Sequence, residues 1–207
     1  MKNFFLVLSL LLLIQFSNAQ TRIAIKGGFN YSTAAVSQDG KKLSKGFKSG
    51  FGLGMLFKAP FDGALHFSPY VAFNQRGFSY RPNSGTITEY QNTINYIDIV
   101  PALSTDFALG ENSVVISVGP HLSYAFSGKE KRTEAGITTK YPMKFSTDGY
   151  YGPFDLGFSS SLGFHTKKFF VEAGFQLGLS SINNEEEFDN KKIQNRMLSL
   201  NLGYYLK

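Results

Sequence analysis

Large apolar side chains recur at every second position along most of the chain, with glycine, small polar residues or charges between them. That period places residues i, i+2 and i+4 on one face of a β-strand. In FGLGMLF, Phe51, Leu53, Met55 and Phe57 share one face, against Gly50, Gly52 and Gly54 on the other. Counting parity in this way predicts eight strands. The other seven bulky faces are Ile23, Ile25, Phe29 and Tyr31; Leu65, Phe67, Val71 and Phe73; Ile97, Ile99 and Leu103; Val114, Ile116, Val118, Leu122 and Tyr124; Phe154, Leu156, Phe158 and Leu162; Val171, Phe175, Leu177 and Leu179; and Leu198, Leu200, Leu202 and Tyr204. No helical period follows residue 19.

The connections alternate in length. Polar stretches at 32–48, 79–93, 127–149 and 181–195 read as long loops, and 59–64, 108–112 and 166–168 as tight turns. Outer-membrane barrels have this asymmetry, and a tilted strand needs only about 9 to 11 residues to cross a bilayer. Pro69, Pro101 and Pro120 fall inside predicted strands, where each removes a ladder donor, so local bulges are expected there.

Volume decides which face is outside. Eight strands enclose an interior only wide enough for side chains to fill, so the small and charged face belongs inside and the Phe and Leu rows look outward. Such rows facing water would form a large exposed apolar surface; facing lipid they need no cover. The expected fold is all-β, an eight-stranded antiparallel up-and-down transmembrane β-barrel with a filled lumen. Trp is absent, so an interfacial girdle would fall to outward Tyr31, Phe57, Phe67, Tyr124, Phe154, Phe164 and Tyr204.

Residues 1–19, MKNFFLVLSLLLLIQFSNA, carry Lys2, an apolar stretch from Phe4 to Ile14, and Ser17 and Ala19 where a signal peptidase needs small residues. A cleavable signal peptide over 1–19 and one domain over 20–207 are expected, with export to the outer membrane. Cys is absent, which removes disulfides and thiolate metal sites. The net charge of +6 falls to +5 without Lys2, too scattered a surplus to argue for nucleic acid.

The segments IKGGFNYS, PYVAFNQRG, YIDIVP, VGPHLSY, FDLGFSSSLGF, FFVEAGFQLGLSSI and NLGYYL, in this order and spacing, resemble the PorT family of outer-membrane β-barrel proteins. The resemblance implies an eight-stranded barrel in the Gram-negative outer membrane, with a few members linked to protein secretion and no catalytic motif. The chain departs from the family in Tyr70 after the Pro and in ending on Lys207.

Candidate chemistry is sparse. Arg76 and Asp98 have inward parity on neighbouring strands, and Lys26, Asp155, Glu172 and His121 share that parity. An unpaired buried charge is costly, so a structural network is expected over a proton or ion path. His66, His121 and His165 lie on different strands and at different depths, and no catalytic residue, metal or cofactor is expected. Glu185, Glu186, Glu187 and Asp189 lack the ligand spacing of a calcium loop and read as a solvated loop. Lys41, Lys42, Lys45 and Lys48 are candidates for contact with lipopolysaccharide phosphates by charge attraction, with solubility as the competing explanation. The expected partners are outer-membrane lipid, lipopolysaccharide and envelope proteins reached through the long loops. The competing functions are a soluble exported carrier of lipocalin type and a lipid-modifying barrel enzyme.

Overall fold

The computed structural model describes residues 21–38, 40–82, 85–147, 149–184 and 191–206. The expected signal peptide and the acidic run at 185–189 lie outside the described residues. Twelve strands form one antiparallel sheet: β1 (Arg22–Gln38), β2 (Lys41–Lys42), β3 (Ser44–Asp62), β4 (Leu65–Phe67), β5 (Tyr70–Arg81), β6 (Ile87–Val100), β7 (Leu103–Leu109), β8 (Asn112–Glu134), β9 (Ile137–Pro142), β10 (Phe154–His165), β11 (Phe169–Gly178) and β12 (Lys191–Tyr205). Following the pairings from β1 through β3, β5, β6, β8, β10, β11 and β12 returns to β1. The circuit has no free edge there.

Among the described residues the strand count is twelve and not eight, for two physical reasons. Prolines split two of the expected strands, separating β4 from β5 at Pro69 and β6 from β7 at Pro101. The long connections also form ladders of their own. β2 folds back on β1, and β9 folds back on β8, so the stretches expected to be loops at 32–48, 79–93 and 127–149 are largely extended hairpins.

The three prolines fall on one line. Phe67 lies opposite Leu103 and Tyr70 opposite Val100, so Pro69 faces Pro101; Ile99 lies opposite Leu122 and Leu103 opposite Val118, so Pro101 faces Pro120. Phe57 N–H donates to Pro69 O at 2.9 Å, so the donor that Pro69 lacks would have met β3 and not Pro101. A bulge at Pro120 does not form: β8 and β10 keep one register through Phe158 opposite Pro120. At Pro101 the chain turns, with Ala102 N–H donating to Val100 O at 3.0 Å. Register shifts occur elsewhere, between Phe47 and Gly52 in β3 and between Asn95 and Tyr96 in β6. The second leaves Phe126 as an extra residue in β8 and reverses parity beyond it, so that Glu130 points inward.

The bulky rows face outward. Phe29 is 79% exposed and Leu202 71%, while their neighbours Ala24, Lys26, Asn30, Ser123, Asp155 and Glu172 are buried. Near the long-hairpin end the polarity inverts while the parity of β1, β5, β6 and β12 does not. Going up each strand, outward Tyr31 gives way to Ala35 and Ser37, Phe73 to Gln75, Ile97 to Asn95, and Leu198 to Arg196; inward positions become Ala34, Val36, Phe78, Tyr80, Ile94 and Ile193. Met143, Tyr151 and Ile182 complete this buried apolar cluster. The interior is therefore not small and polar throughout, because above the inversion the wall meets water and the ordinary rule of apolar inside applies. A smaller cluster of Ala24, Leu56, Phe170 and Tyr205 lies at the tight-turn end. No described helix is long and apolar enough to cross a membrane, which says nothing of strands.

Candidate functional site

Between the two apolar clusters the interior is charged. Arg76 of β5 reaches four strands: its guanidinium donates to Asp98 of β6, to Ser123 of β8 at 3.2 Å, to Gln176 of β11 at 2.6 Å, and to Asp155 of β10 at 3.5 Å. Both carboxylates are 0% exposed. Asn74 donates to Asp98 at 2.7 Å and Asn195 to Asp155 at 2.8 Å, and the Tyr96 ring lies 4.7 Å from the Arg76 guanidinium. Two anions on one fixed fork, each with an amide donor, are the arrangement that makes burial of charge tolerable. His121 is buried beside this group, and Gly157 makes room for it: a Cβ there would lie 2.5 Å from the imidazole Cε1.

A second tier lies toward the tight-turn end. Lys26 Nζ donates to Glu172 Oε1 at 2.8 Å, Ser161 Oγ donates to the other carboxylate oxygen at 3.2 Å, and the ammonium is 3.8 Å from the Tyr70 ring centroid. Tyr70 joins the tiers, because its hydroxyl accepts from Gln176 Nε2 at 3.2 Å and shares a hydrogen bond with Ser159 at 2.9 Å. Lys26, Arg76, Asp98, Asp155 and Glu172 thus belong to one chain of contacts. A cavity of about 20 Å³ lies against Lys26, Tyr70, Asn74 and Glu172, room for about one water.

A third tier was missed by the sequence reading. Lys58 Nζ bonds both oxygens of Asp106 at 2.6 and 2.5 Å, with His66 Nδ1 3.7 Å from the same carboxylate. Nearby, the His165 ring shares a hydrogen bond with Tyr205 OH at 2.7 Å. The signal was parity: Lys58 continues the inward positions Gly54 and Leu56, but it lay where the strand was read as ending. No group of three or more His, Asp or Glu among the described residues is placed to hold a metal.

The four lysines singled out in the first hairpin differ in their surroundings. Lys41, Lys42 and Lys45 are exposed, whereas Lys48 turns to Gln91 Oε1 at 3.1 Å. Beside Lys42 and Lys45, the outward Lys192 and Arg196 of β12 border a groove that parity reading of the last strand had left unremarked.

Residues 16–184 match the model of the family described as outer membrane protein beta-barrel domain. The chain belongs to that family. It is an outer-membrane protein, all-β and antiparallel. None of the curated proteins matches it. Among solved structures, the attachment invasion locus protein Ail of Yersinia pestis, in complex with the heparin analogue sucrose octasulfate, shares 16% identity over 90% of this chain and 99% of its own, with a TM-score of 0.46. Neisserial surface protein A shares 13% over 88% and 96%, with a TM-score of 0.45. OprG of Pseudomonas aeruginosa shares 12% over 91% and 97%, with a TM-score of 0.47.

Proposed function

We propose that the mature chain is an integral, eight-stave transmembrane barrel with a filled lumen. In this reading residues 1–19 are removed on export, and the chain serves as a structural or binding element of the envelope. The staves are β1, β3, β4 with β5, β6 with β7, β8, β10, β11 and β12. One observation carries the reading: a closed circuit of strands is wrapped in outward Phe and Leu rows that end at one level, where the polarity inverts. A soluble carrier would need the reverse, an apolar cavity inside and a polar wall outside, and the 20 Å³ interior space is bordered by Lys26 and Glu172. The inward network of Lys26, Arg76, Asp98, His121, Asp155 and Glu172 then acts as ballast that fixes neighbouring staves. The resemblance to PorT proteins supports an accessory part in secretion, with recognition by the long hairpins. Outer-membrane lipid and lipopolysaccharide surround the wall.

The test is fractionation with electrophoresis and bilayer recording. The chain should remain in the membrane through salt and alkaline washes, require detergent, migrate faster before boiling than after, and give no steady conductance in a planar bilayer. Release without detergent would overturn the membrane reading, and a stable conductance would overturn the filled lumen.

A further inference from the structure

The outer rim holds a feature that the filled-barrel reading does not use. Ala35 and Ser37 of β1 face outward as small residues and floor a groove of about 260 Å³; Lys42 and Lys45 border it from the first hairpin, and Lys192 and Arg196 from β12. Register fixes this juxtaposition: Ser37 pairs with Lys42 on one side and with Lys192 on the other, and Thr33 pairs with Arg196. None of the four cations makes an ion pair among the described residues. Four like charges from three strands around one depression repel each other unless an anion occupies it.

Height identifies the anion. On β12, Tyr204 to Arg196 spans eight residues, which at ~3.4 Å per residue and a tilt of ~40° is about 21 Å; on β3, Phe57 to Phe47 spans about 26 Å by the same measure. An outer-membrane barrel carries an apolar band of about 25 Å, so Arg196 and Lys45 stand where the band ends. Just below them, Tyr31 and Phe47 stack outward with ring centroids 4.7 Å apart, as interfacial aromatics do. A groove at this level faces lipid headgroups.

We infer that the groove formed by Lys42, Lys45, Lys192 and Arg196 docks the phosphate groups of a phosphorylated glycolipid in the outer leaflet. The inference rests on the membrane-spanning reading. Arg196 offers a planar fork suited to two phosphate oxygens, and the lysines add point charges that can follow a flexible sugar headgroup.

The experiment uses the folded full-length mature chain in zwitterionic detergent, with binding of bisphosphorylated lipid A read by native mass spectrometry. Wild type should bind lipid A and largely lose binding to the dephosphorylated form. Lys45→Ala with Arg196→Ala should weaken binding about 30-fold, at about five- to sixfold per charge near a lipid surface. Lys131→Ala with Lys140→Ala, which removes two charges from the β8–β9 hairpin, should leave affinity unchanged. Equal affinity for the two lipid forms, equal loss in both double variants, or full competition by inorganic phosphate at the lipid's own concentration would each overturn the proposal. Every variant is first checked for the faster unboiled migration: a wild-type chain lacking it fails the membrane reading, while one that shows it without phosphate discrimination fails the groove alone.

Discussion

Lys26 and Glu172, 146 residues apart in the chain, meet at 2.8 Å inside the ring, each under 10% exposed. They sit on β1 and β11, which are separated by β12, so the bond spans the interior across one intervening stave. Lys26→Ala strands a buried carboxylate and should destabilise the barrel by about 3 to 5 kcal/mol, whereas Lys26→Met with Glu172→Gln removes both charges and should cost much less. Urea unfolding followed by the unboiled gel shift measures both. Equal costs for the single and double variants would show that the pair is not coupled.

The polarity inversion on a single strand face gives a second test. Val118→Arg places a cation on the outward face within the apolar band and should cost about 2 to 4 kcal/mol, while Gln194→Arg, also outward but above Arg196, should fall near zero. Leu177→Arg, opposite Arg196 at the edge of the band, should cost less than Val118→Arg. Unfolding midpoints in lipid vesicles decide it; similar costs at Val118 and Gln194 would place the membrane boundary elsewhere.

At the proline line, Gly119 is required by close approach. A Cβ on Gly119 would lie 2.8 Å from both Pro101 O and Ala102 Cα, which are backbone atoms, whereas on Gly27 it would meet nothing nearer than 3.4 Å. Gly119→Ala should therefore cost about 1 to 3 kcal/mol as an overpacking strain. Gly27→Ala should be nearly neutral by the same unfolding assay.

Above the membrane, Tyr151 OH donates to the buried Glu130 carboxylate at 2.5 Å. Burial, reinforced by the neighbouring Glu130 charge, raises the Tyr151 phenol far above its usual range, so it remains a donor at every pH the envelope meets. Tyr151→Phe leaves that carboxylate short of a donor and should loosen the outer hairpins by about 1 to 3 kcal/mol. Hydrogen exchange at 128–145 should accelerate while the strands within the apolar band keep their protection. Uniform acceleration along the chain would contradict a local role.

The sequence by itself determined which residues share a face, because a strand's period of two is fixed by backbone geometry, and the absence of any long inward bulky row below the rim settled which face is outside. Phe51, Leu53, Val71, Ile99 and Phe158 were legible in this way, as were Lys26, Arg76, Asp98, Asp155 and Glu172 as inward residues. The polar stretches were misread as loops because in water-exposed hairpins the outward face turns hydrophilic, and Val36, Ile94 and Ile193 then look like isolated apolar residues until parity is carried through them. Only the tertiary structure decided the partners. Closure of the ring and the stagger of its strands choose which inward side chains stand at the same depth, and that brings Arg76 to Asp155 and Lys58 to Asp106, neither of which lies close in the chain. Alternation is a local property of one strand, whereas depth in a barrel is set by the register of all of them at once.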